Sequence, residues 1–212
     1  MKKVLILGAN GQIARLVSEM LLKEENVQVT HYLRNSRRLE ISDSSREQIV
    51  EGNVLDVKML TKAMKDQDVV YSNIGSPDIA NKTKSIVEAM EAAGVNRGIF
   101  ISALGIYDEV PGKFGEWNKK MCGSSLPDFR RAANIIESSS LGYTILRGAW
   151  FTNKNEVDYE LTQKNELFKG TEISRKSLAS LVVKLTLSPE LEVRRSIGVS
   201  KPNTEGDKPA FY

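Results

Sequence analysis

The sequence has few of the residues that form disulfides and metal centres. Among its 212 residues it contains one cysteine, Cys122, and one histidine, His31. An intramolecular disulfide needs two cysteines, so none can form, and cysteine-rich and multi-histidine metal sites are excluded as well. We therefore expect a fold that depends on an apolar core and a functional site without a metal.

Long apolar runs and a strong net charge are also absent. No stretch approaches the roughly 20 apolar residues of a membrane-spanning helix, and the first residues read as a strand rather than a signal peptide. The net charge is +3, which is too small to indicate a nucleic acid or a membrane surface as the partner. We expect a cytoplasmic protein that acts on a small molecule, and the sequence leaves its oligomeric state open.

The first half of the chain alternates short apolar runs with amphipathic segments. The apolar runs cover residues 4–7, 27–33, 48–51, 68–73 and 97–102, and the helical patterns cover residues 11–23, 56–65 and 78–93. This alternation predicts an α/β fold, a Rossmann-type doubly wound parallel sheet with helices on both faces. We expect a single domain over residues 1–212, with a small C-terminal subregion on the substrate side.

The second half of the chain is predicted to complete that domain. Residues 157–162 read as an extended segment, residues 175–187 as a helix capped by Ser174, and residues 196–199 as a last strand. Residues 105–125 form a long predicted loop, which is unusual for a strand-to-helix connection. Its aromatic side chains predict either a flap over the functional site or a surface loop that packs on itself.

The lone histidine and the lone cysteine are predicted to be structural. His31 lies within the second predicted strand, and no acid or nucleophile is near it in the sequence. Cys122 lies in the long predicted loop without a neighbouring base that would form a reactive thiolate.

A glycine-rich turn joins the first predicted strand to the first predicted helix, with G-x-x-G-x-x-A spacing from Gly8 to Ala14. Glycines let the backbone approach a pyrophosphate closely, and the N-terminus of a helix favours an anion through its free N–H groups and dipole. The turn is therefore a candidate dinucleotide site, although a tight turn without a ligand can have the same spacing. The candidate residues are Gly8, Asn10, Gly11, Gln12 and Ile13.

The end of the second strand distinguishes between two cofactors. In dinucleotide-binding folds an acidic residue there binds the adenosine ribose of NAD, whereas an arginine accommodates the 2′-phosphate of NADP. This chain has Arg34 at that place and no acid, and Arg37 and Arg38 follow. The sequence therefore predicts NADP(H) in preference to NAD(H), with a solvated basic loop as the alternative.

Further candidate residues follow the other predicted strands. Asn53, residues 73–75 and residues 102–104 come where strands of the parallel sheet end. Since ligands of such sheets bind over the carboxyl ends of the strands, these residues are expected to converge on one crevice.

Several short motifs together resemble the atypical short-chain dehydrogenase/reductases, in particular the NmrA-like and biliverdin/flavin-reductase-like NAD(P)-binding proteins. The motifs are GANGQIA at 8–14, LRN at 33–35, GNVLD at 52–56, NIG at 73–75, ISA at 101–103, LGYTILR at 141–147 and GTEISRKSLA at 170–179. The resemblance implies that Asn53 and Val54 border the adenine and that YTILR is a sixth parallel strand. It also implies further cofactor contacts from Asn73, Ile74, Gly75, Ser102 and Ala103.

The resemblance leaves the catalytic residues open. Full members of the superfamily use a tyrosine and a lysine four residues apart, with a serine upstream, to exchange a proton with the substrate. Here Ser102 and Tyr107 are candidates, but Pro111 stands four residues after Tyr107. At the start of the following helix, Phe129 and Ala133 have that spacing, and neither can exchange a proton. A packing role for Tyr107 is the alternative.

Three functions are compatible with these features. The first is an NADPH-dependent reductase that transfers hydride to a small conjugated or carbonyl substrate such as a flavin or a quinone. Since the tyrosine–lysine pair is missing, the second is a non-catalytic NADP(H)-sensing regulator of the NmrA-like type. An epimerase or dehydratase is disfavoured because that chemistry needs a strong base near the nicotinamide.

Overall fold

A mostly parallel eight-stranded sheet forms the centre of the protein, which is described over residues 1–212 by a computed structural model. Its strand order is β3-β2-β1-β4-β5-β6-β10-β8, and only β8 runs antiparallel to its neighbour. A separate parallel pair joins β7 and β9. The strands are Lys2–Leu7 (β1), Val27–Leu33 (β2), Glu47–Glu51 (β3), Val69–Ser72 (β4), Arg97–Ala103 (β5), Gly142–Gly148 (β6), Trp150–Thr152 (β7), Glu160–Thr162 (β8), Glu172–Ser174 (β9) and Arg195–Ser200 (β10).

Six helices cover the two faces of this sheet. Along β1, Val4 and Ile6 pack into one apolar core, and Leu5 and Leu7 pack into the other. This explains why the first strand is a continuous apolar run. None of the helices is long and apolar enough to cross a bilayer. They are Gln12–Leu21 (α1), Val57–Met64 (α2), Ile79–Ala93 (α3), Gly112–Cys122 (α4), Leu126–Ser138 (α5) and Arg175–Leu187 (α6).

The strand order reverses between β1 and β4. The chain moves outward from β1 to β3 and then crosses back to place β4 on the other side of β1. The loops that leave these two strands diverge to opposite faces, and a crevice opens between them at such a point. The predicted doubly wound Rossmann-type sheet is confirmed, including its sixth parallel strand, β6, between β5 and β10.

Two predictions in the second half of the chain were wrong. The predicted loop 105–125 contains α4. Phe114, Trp117, Asn118 and Met121 have the i, i+3, i+4, i+7 spacing of a helix, and the glycines and proline around them concealed it. Of the predicted extended segment 157–162, only the last three residues form a strand, β8, at the sheet edge.

His31 is buried in β2, as expected, but it has an acidic partner from β3. Its Nε2 lies 2.9 Å from Oε1 of Glu47. Burial lowers the pKa of His31 even though Glu47 opposes that shift. Burial alone would raise the pKa of Glu47. Hydrogen bonds from His31 and from the backbone of Asp43 and Ser42 outweigh burial, so the pKa of Glu47 lies below its usual value. The pair therefore holds a neutral imidazole beside a carboxylate.

This pair predicts how stability depends on pH. The unfolded chain binds a proton at His31 near pH 6.5, and the folded chain does so only at lower pH. The free energy of unfolding should therefore fall as the pH drops below 6.5 toward the pKa of the folded state. Because His31 is the only histidine, His31→Gln, which keeps a donor for Glu47, should flatten the Tm profile from pH 7 to 5.5. Parallel profiles for the two proteins would contradict this assignment.

A buried ion pair fixes the loop that follows β5. The side chain of Arg147, on β6, is fully buried and donates to Oε1 of Glu109, with Nε 3.2 Å from Ser196 Oγ. The same carboxylate accepts from the backbone N–H of Gly105 at 3.0 Å and of Tyr107 at 2.9 Å. Both carboxylate oxygens of Glu109 thus hold the loop that leads to α4.

Removing the charge of Glu109 should destabilise the protein strongly. Glu109→Gln leaves Arg147 buried without a counter-charge, and such a change costs about 3–5 kcal/mol. Chemical denaturation measures this loss. The neighbouring Asp108→Asn, at an exposed ion pair with Lys119, is the matched control, and its midpoint should stay at the wild-type value. An equal loss in the free energy of unfolding in both variants would show that a change anywhere in the loop destabilises the protein, and that the buried ion pair has no special role.

Candidate functional site

A continuous crevice lies over the carboxyl ends of the parallel strands. It consists of a cavity of about 480 Å³ and a cavity of about 300 Å³. Both are lined by Asn73, Ile74 and Gly75, the residues that follow β4. One ligand can therefore extend from the first cavity into the second along this loop.

The glycine turn at the start of the crevice depends on close backbone contact with Asn73. Gly8 has a φ of +72°, and a Cβ there would lie 3.0 Å from the backbone oxygen of Asn73. A Cβ on Gly11 would overlap the side-chain nitrogen of Asn73. That side chain is held in turn by Tyr71, whose hydroxyl donates to Asn73 Oδ1 at 2.9 Å. A Cβ at Gly8 would therefore require a small shift of the Asn73 backbone, and a Cβ at Gly11 would require the Asn73 side chain to move.

The turn leads into a helix end that fits an anion. Gly11 is the N-cap of α1 and supplies no capping side chain, and no acidic residue stands in the first turn. The backbone N–H groups of Gln12 and Ile13 therefore have no partner within the helix. Both side chains line the larger cavity. The small residues and the uncapped N–H groups fit a pyrophosphate, which needs close approach and several backbone donors.

Arg15 holds the rim of this turn. Its guanidinium donates to the side chain and backbone oxygen of Asn10, the latter at 3.3 Å, and to the backbone oxygen of Arg38 at 2.7 Å. Its donors thus join the glycine turn to the loop after β2.

The smaller cavity is basic. Arg34, Arg38 and Lys82 line it, and its lining contains no aspartate or glutamate. Lys82, on α3, also donates to the backbone oxygens of Gly75, at 3.3 Å, and Pro77. The sequence did not indicate Lys82, because its place at the crevice depends on how α3 packs beside β4.

The structure does not bring Arg37 into the cavity lining with Arg34. Residues 36–38 form a 3₁₀ turn, in which the side chains of Arg37 and Arg38 leave the backbone in different directions. Arg37 instead lies near Glu51, whose pKa is lowered mainly by hydrogen bonds to Ser36 and also by the charge of Arg37. Of these two arginines, the structure places Arg38 in the cavity lining and Arg37 outside it.

The far wall of the smaller cavity is formed around Tyr32. Its hydroxyl donates to the backbone oxygen of Asn53 at 3.1 Å, and a Cβ on Gly52 would overlap that hydroxyl. Asn53 and Val54 line the cavity together with the end of β2. The resemblance assigned these two residues to the adenine, and in the structure both line the smaller cavity.

The larger cavity is mainly apolar and aromatic. Ser102 and Ala103, from the end of β5, lie in its wall. Asn118 of α4 is only 1% exposed, and its Oδ1 accepts from Trp150 Nε1 at 3.0 Å, which fixes the indole ring. The apolar lining residues are Ile13, Ile74, Ile101, Ala103, Leu104, Phe129, Ala149, Trp150 and Phe151.

Tyr107 does not reach this cavity. Its hydroxyl donates to Glu137 Oε1 at 2.8 Å, and its ring lies 4.5 Å from the cationic groups of Arg130 and Lys164. Burial raises the pKa of Tyr107 well above its usual value, and Glu137 adds to that shift. Tyr107 is absent from the lining that contains Ser102, and its bond to Glu137 of α5 agrees with the packing role that was its alternative.

Several lining residues were missed from the sequence. Asn118 and Cys122 reach the cavity because 112–122 is a helix rather than a loop. Trp150, Phe151 and Arg175 come from the β7–β9 region, whose three-residue strands have no periodic pattern long enough to detect.

Residues 8–189 match the sequence pattern of the NAD(P)H-binding family. The chain belongs to this family. A Rossmann-fold NAD(P)-binding family protein from Shigella flexneri is 42% identical, with full coverage of both chains and a TM-score of 0.86. A short-chain dehydrogenase/reductase from Veillonella parvula, solved in complex with NADP, is 32% identical over 99% of each chain, with a TM-score of 0.92. The predicted resemblance and a nicotinamide dinucleotide as the class of cofactor are confirmed.

Some curated relatives from plants match a shorter region. Eugenol synthase 2 of Clarkia breweri is 32% identical over 106 residues, which is 45% of this chain and 33% of that enzyme. The match thus spans about a third of the length of this relative.

Gly11→Ala should weaken binding of the nucleotide strongly, with little loss of the fold. The added methyl group displaces the Asn73 side chain from its bond with Tyr71 and narrows the turn at the helix end. Isothermal titration with NADP⁺ should show a Kd at least tenfold weaker, and circular dichroism should show the wild-type secondary structure. Gly206→Ala, where a Cβ meets only an ordinary 3.6 Å contact, is the control. Unchanged affinity in Gly11→Ala would contradict the role of the turn.

Proposed function

We propose that the protein is an NADPH-dependent reductase that transfers hydride to a small, flat, conjugated acceptor such as a flavin or a quinone. The observation that carries the proposal is the division of one crevice into a basic half and an apolar aromatic half. The two halves meet at residues 73–75. A dinucleotide needs the first half for its phosphates, and its reactive ring and a flat acceptor suit the second.

The preference for NADPH rests on the charge of the smaller cavity. Arg34 and Arg38 present guanidinium groups beside Lys82, and no carboxylate of the lining could bind a ribose hydroxyl in competition. A guanidinium fits a phosphate through paired hydrogen bonds. The Veillonella parvula relative was solved in complex with NADP, which supports the same preference.

The remaining cofactor contacts are proposed from the residues that line the crevice or form its turn. Asn53 and Val54 would border the adenine, and the glycine turn would hold the pyrophosphate. Ser102 and Ala103 would lie beside the nicotinamide ring. The full proposed set is Gly8, Asn10, Gly11, Gln12, Ile13, Arg34, Arg38, Asn53, Val54, Asn73, Ile74, Gly75, Lys82, Ser102 and Ala103.

The chemistry of the larger cavity is mainly orientation of the two reactants. Bound NADPH supplies the hydride. Trp150, fixed by Asn118, and the rings of Phe129 and Phe151 offer flat apolar surfaces for a conjugated acceptor. Holding two reactants in contact in the right orientation can account for much of a rate enhancement. The Ser102 hydroxyl is available to donate a hydrogen bond to an acceptor oxygen or nitrogen.

The class of acceptor follows from the groups that the cavity lacks. Its lining contains no histidine, lysine, tyrosine, aspartate or glutamate. A simple ketone needs a proton as hydride arrives, whereas a quinone or flavin spreads the added charge and can take its proton from water. The lining therefore favours conjugated acceptors over simple carbonyls.

The same lack of a proton donor favours the second candidate, a regulator that binds NADP(H) without turnover. Such a protein needs only the cofactor half of the crevice. The two functions are separated by whether bound NADPH is oxidised when a conjugated acceptor is supplied.

Oxidation of NADPH and NADH with menadione, a flat quinone, tests both the reaction and the cofactor preference. Wild type should show a higher kcat/KM for NADPH than for NADH. Arg34→Ala should lower kcat/KM for NADPH about tenfold or more, because a hydrogen bond to a charged group contributes about 1.5–3 kcal/mol. The value for NADH should change little.

Arg37→Ala is the matched control for this experiment, since it removes an equal charge from the same loop outside the cavity lining. The Arg37→Ala variant should keep most of the preference for NADPH over NADH. A preference for NADH in wild type would overturn the choice of cofactor. Tight binding of NADPH without oxidation by menadione, free flavins or other quinones would favour the regulator.

A further inference from the structure

Arg175 is the only charged residue that lines the larger cavity. It is the first residue of α6, directly after the N-cap Ser174. The other side chains of this lining are apolar or neutral, so the guanidinium is the one charge in the cavity wall. The side chain is half-buried, and its charge is compensated by water, by partners in the protein or by a bound ligand.

The protein supplies little of that compensation. No carboxylate lies within 4.0 Å of Arg175, in contrast to the buried Arg147, which has Glu109. The one hydrogen bond of Arg175 runs from Nη1 to the neutral Oδ1 of Asn153 at 2.8 Å. A guanidinium carries five N–H donors, so most of those on Arg175 have no partner in the protein. Partial burial lowers the pKa of Arg175.

The position of the guanidinium is nevertheless defined. Asn153 holds one side of the guanidinium. The central carbon of the guanidinium lies 5.4 Å from the centre of the Phe151 ring. Phe151 also lines the cavity. An arginine held between an amide and an aromatic ring is preorganised to bind a planar anion, because little side-chain freedom remains to be lost.

We propose that Arg175 is a specificity-determining residue that binds a carboxylate or similar anionic group on the conjugated acceptor. The inference rests on the proposed function for the identity of the site and adds the substrate class, a flat conjugated molecule with an acidic substituent. The aromatic wall takes the flat part, and the unpartnered N–H groups of Arg175 take the anion.

A cofactor contact is the competing explanation, since Gln12 and Ile13 of the glycine turn line the same cavity. If Arg175 bound a phosphate of the dinucleotide, its loss would weaken NADP⁺ binding. If it binds the acceptor, its loss would weaken only anionic acceptors. Affinity for NADP⁺ therefore distinguishes the two.

The test uses two planar probes of nearly equal shape, anionic 2-naphthoate and neutral 2-naphthamide. Each is titrated into NADP⁺-saturated protein by calorimetry, so the result does not depend on turnover. Wild type should bind naphthoate at least tenfold more tightly than naphthamide. Arg175→Gln should remove this difference, Arg175→Lys should retain part of it, and the Kd for NADP⁺ should stay within twofold.

Lys176→Gln is the matched control. Lys176 is the next residue and bonds Asn155 Oδ1 at 2.7 Å, but it does not line the cavity. This variant should keep the wild-type preference for naphthoate. The proposal is overturned if wild type shows no preference for the anion, including no binding of either probe, if Arg175→Gln weakens both probes equally, or if it weakens NADP⁺ instead. A failure of menadione reduction together with a retained anion preference would overturn the reductase and leave this subsite in place.

Discussion

The close contact between the glycine turn and the Asn73 loop is the constraint on which the site depends. Strands β1 and β4 are neighbours whose following loops diverge, so the crevice exists only at their shared end. Gly8 and Gly11 let the turn lie against Asn73 without a side chain between them. Tyr71 holds Asn73 from within the core. Packing beneath the sheet end thus determines the shape of the nucleotide site above it.

The two halves of the crevice obtain their character from different parts of the chain. The basic half is formed by the loops that follow the first four strands and by α3. The apolar half is formed mainly by the ends of β5 and β6, by α4, α5 and β7, and by the first residues of α1 and α6. The elements around the basic half belong to the regular strand–helix alternation of a Rossmann-type fold. Several elements around the apolar half, such as α4 and β7, lie in irregular connections. Binding of the cofactor and choice of the acceptor are therefore separable features of this sequence.

Sequence patterns predicted the elements around the basic half well and several elements around the apolar half poorly, for physical reasons. Strands buried on both faces are continuous apolar runs, and turns that need a positive φ at Gly8 or Gly94 reveal themselves by glycine. Helix α4 was concealed because glycines occur within an otherwise helical spacing. The direction of Arg38 and the approach of Lys82 depend on local turn geometry and helix packing, which single residues do not encode. Tyr107 was a reasonable candidate by type, but the carboxylate of Glu137 that binds it lies thirty positions away along the chain.

A crystal structure of the protein grown with NADP⁺ tests the central claim most directly. We predict one nucleotide in the crevice, with its pyrophosphate on the N–H groups at the start of α1. The 2′-phosphate should lie within hydrogen-bond distance of Arg34 or Arg38, and the nicotinamide should lie in the apolar cavity beside Ser102. A 2′-phosphate directed into solvent, or a nicotinamide outside that cavity, would contradict the account.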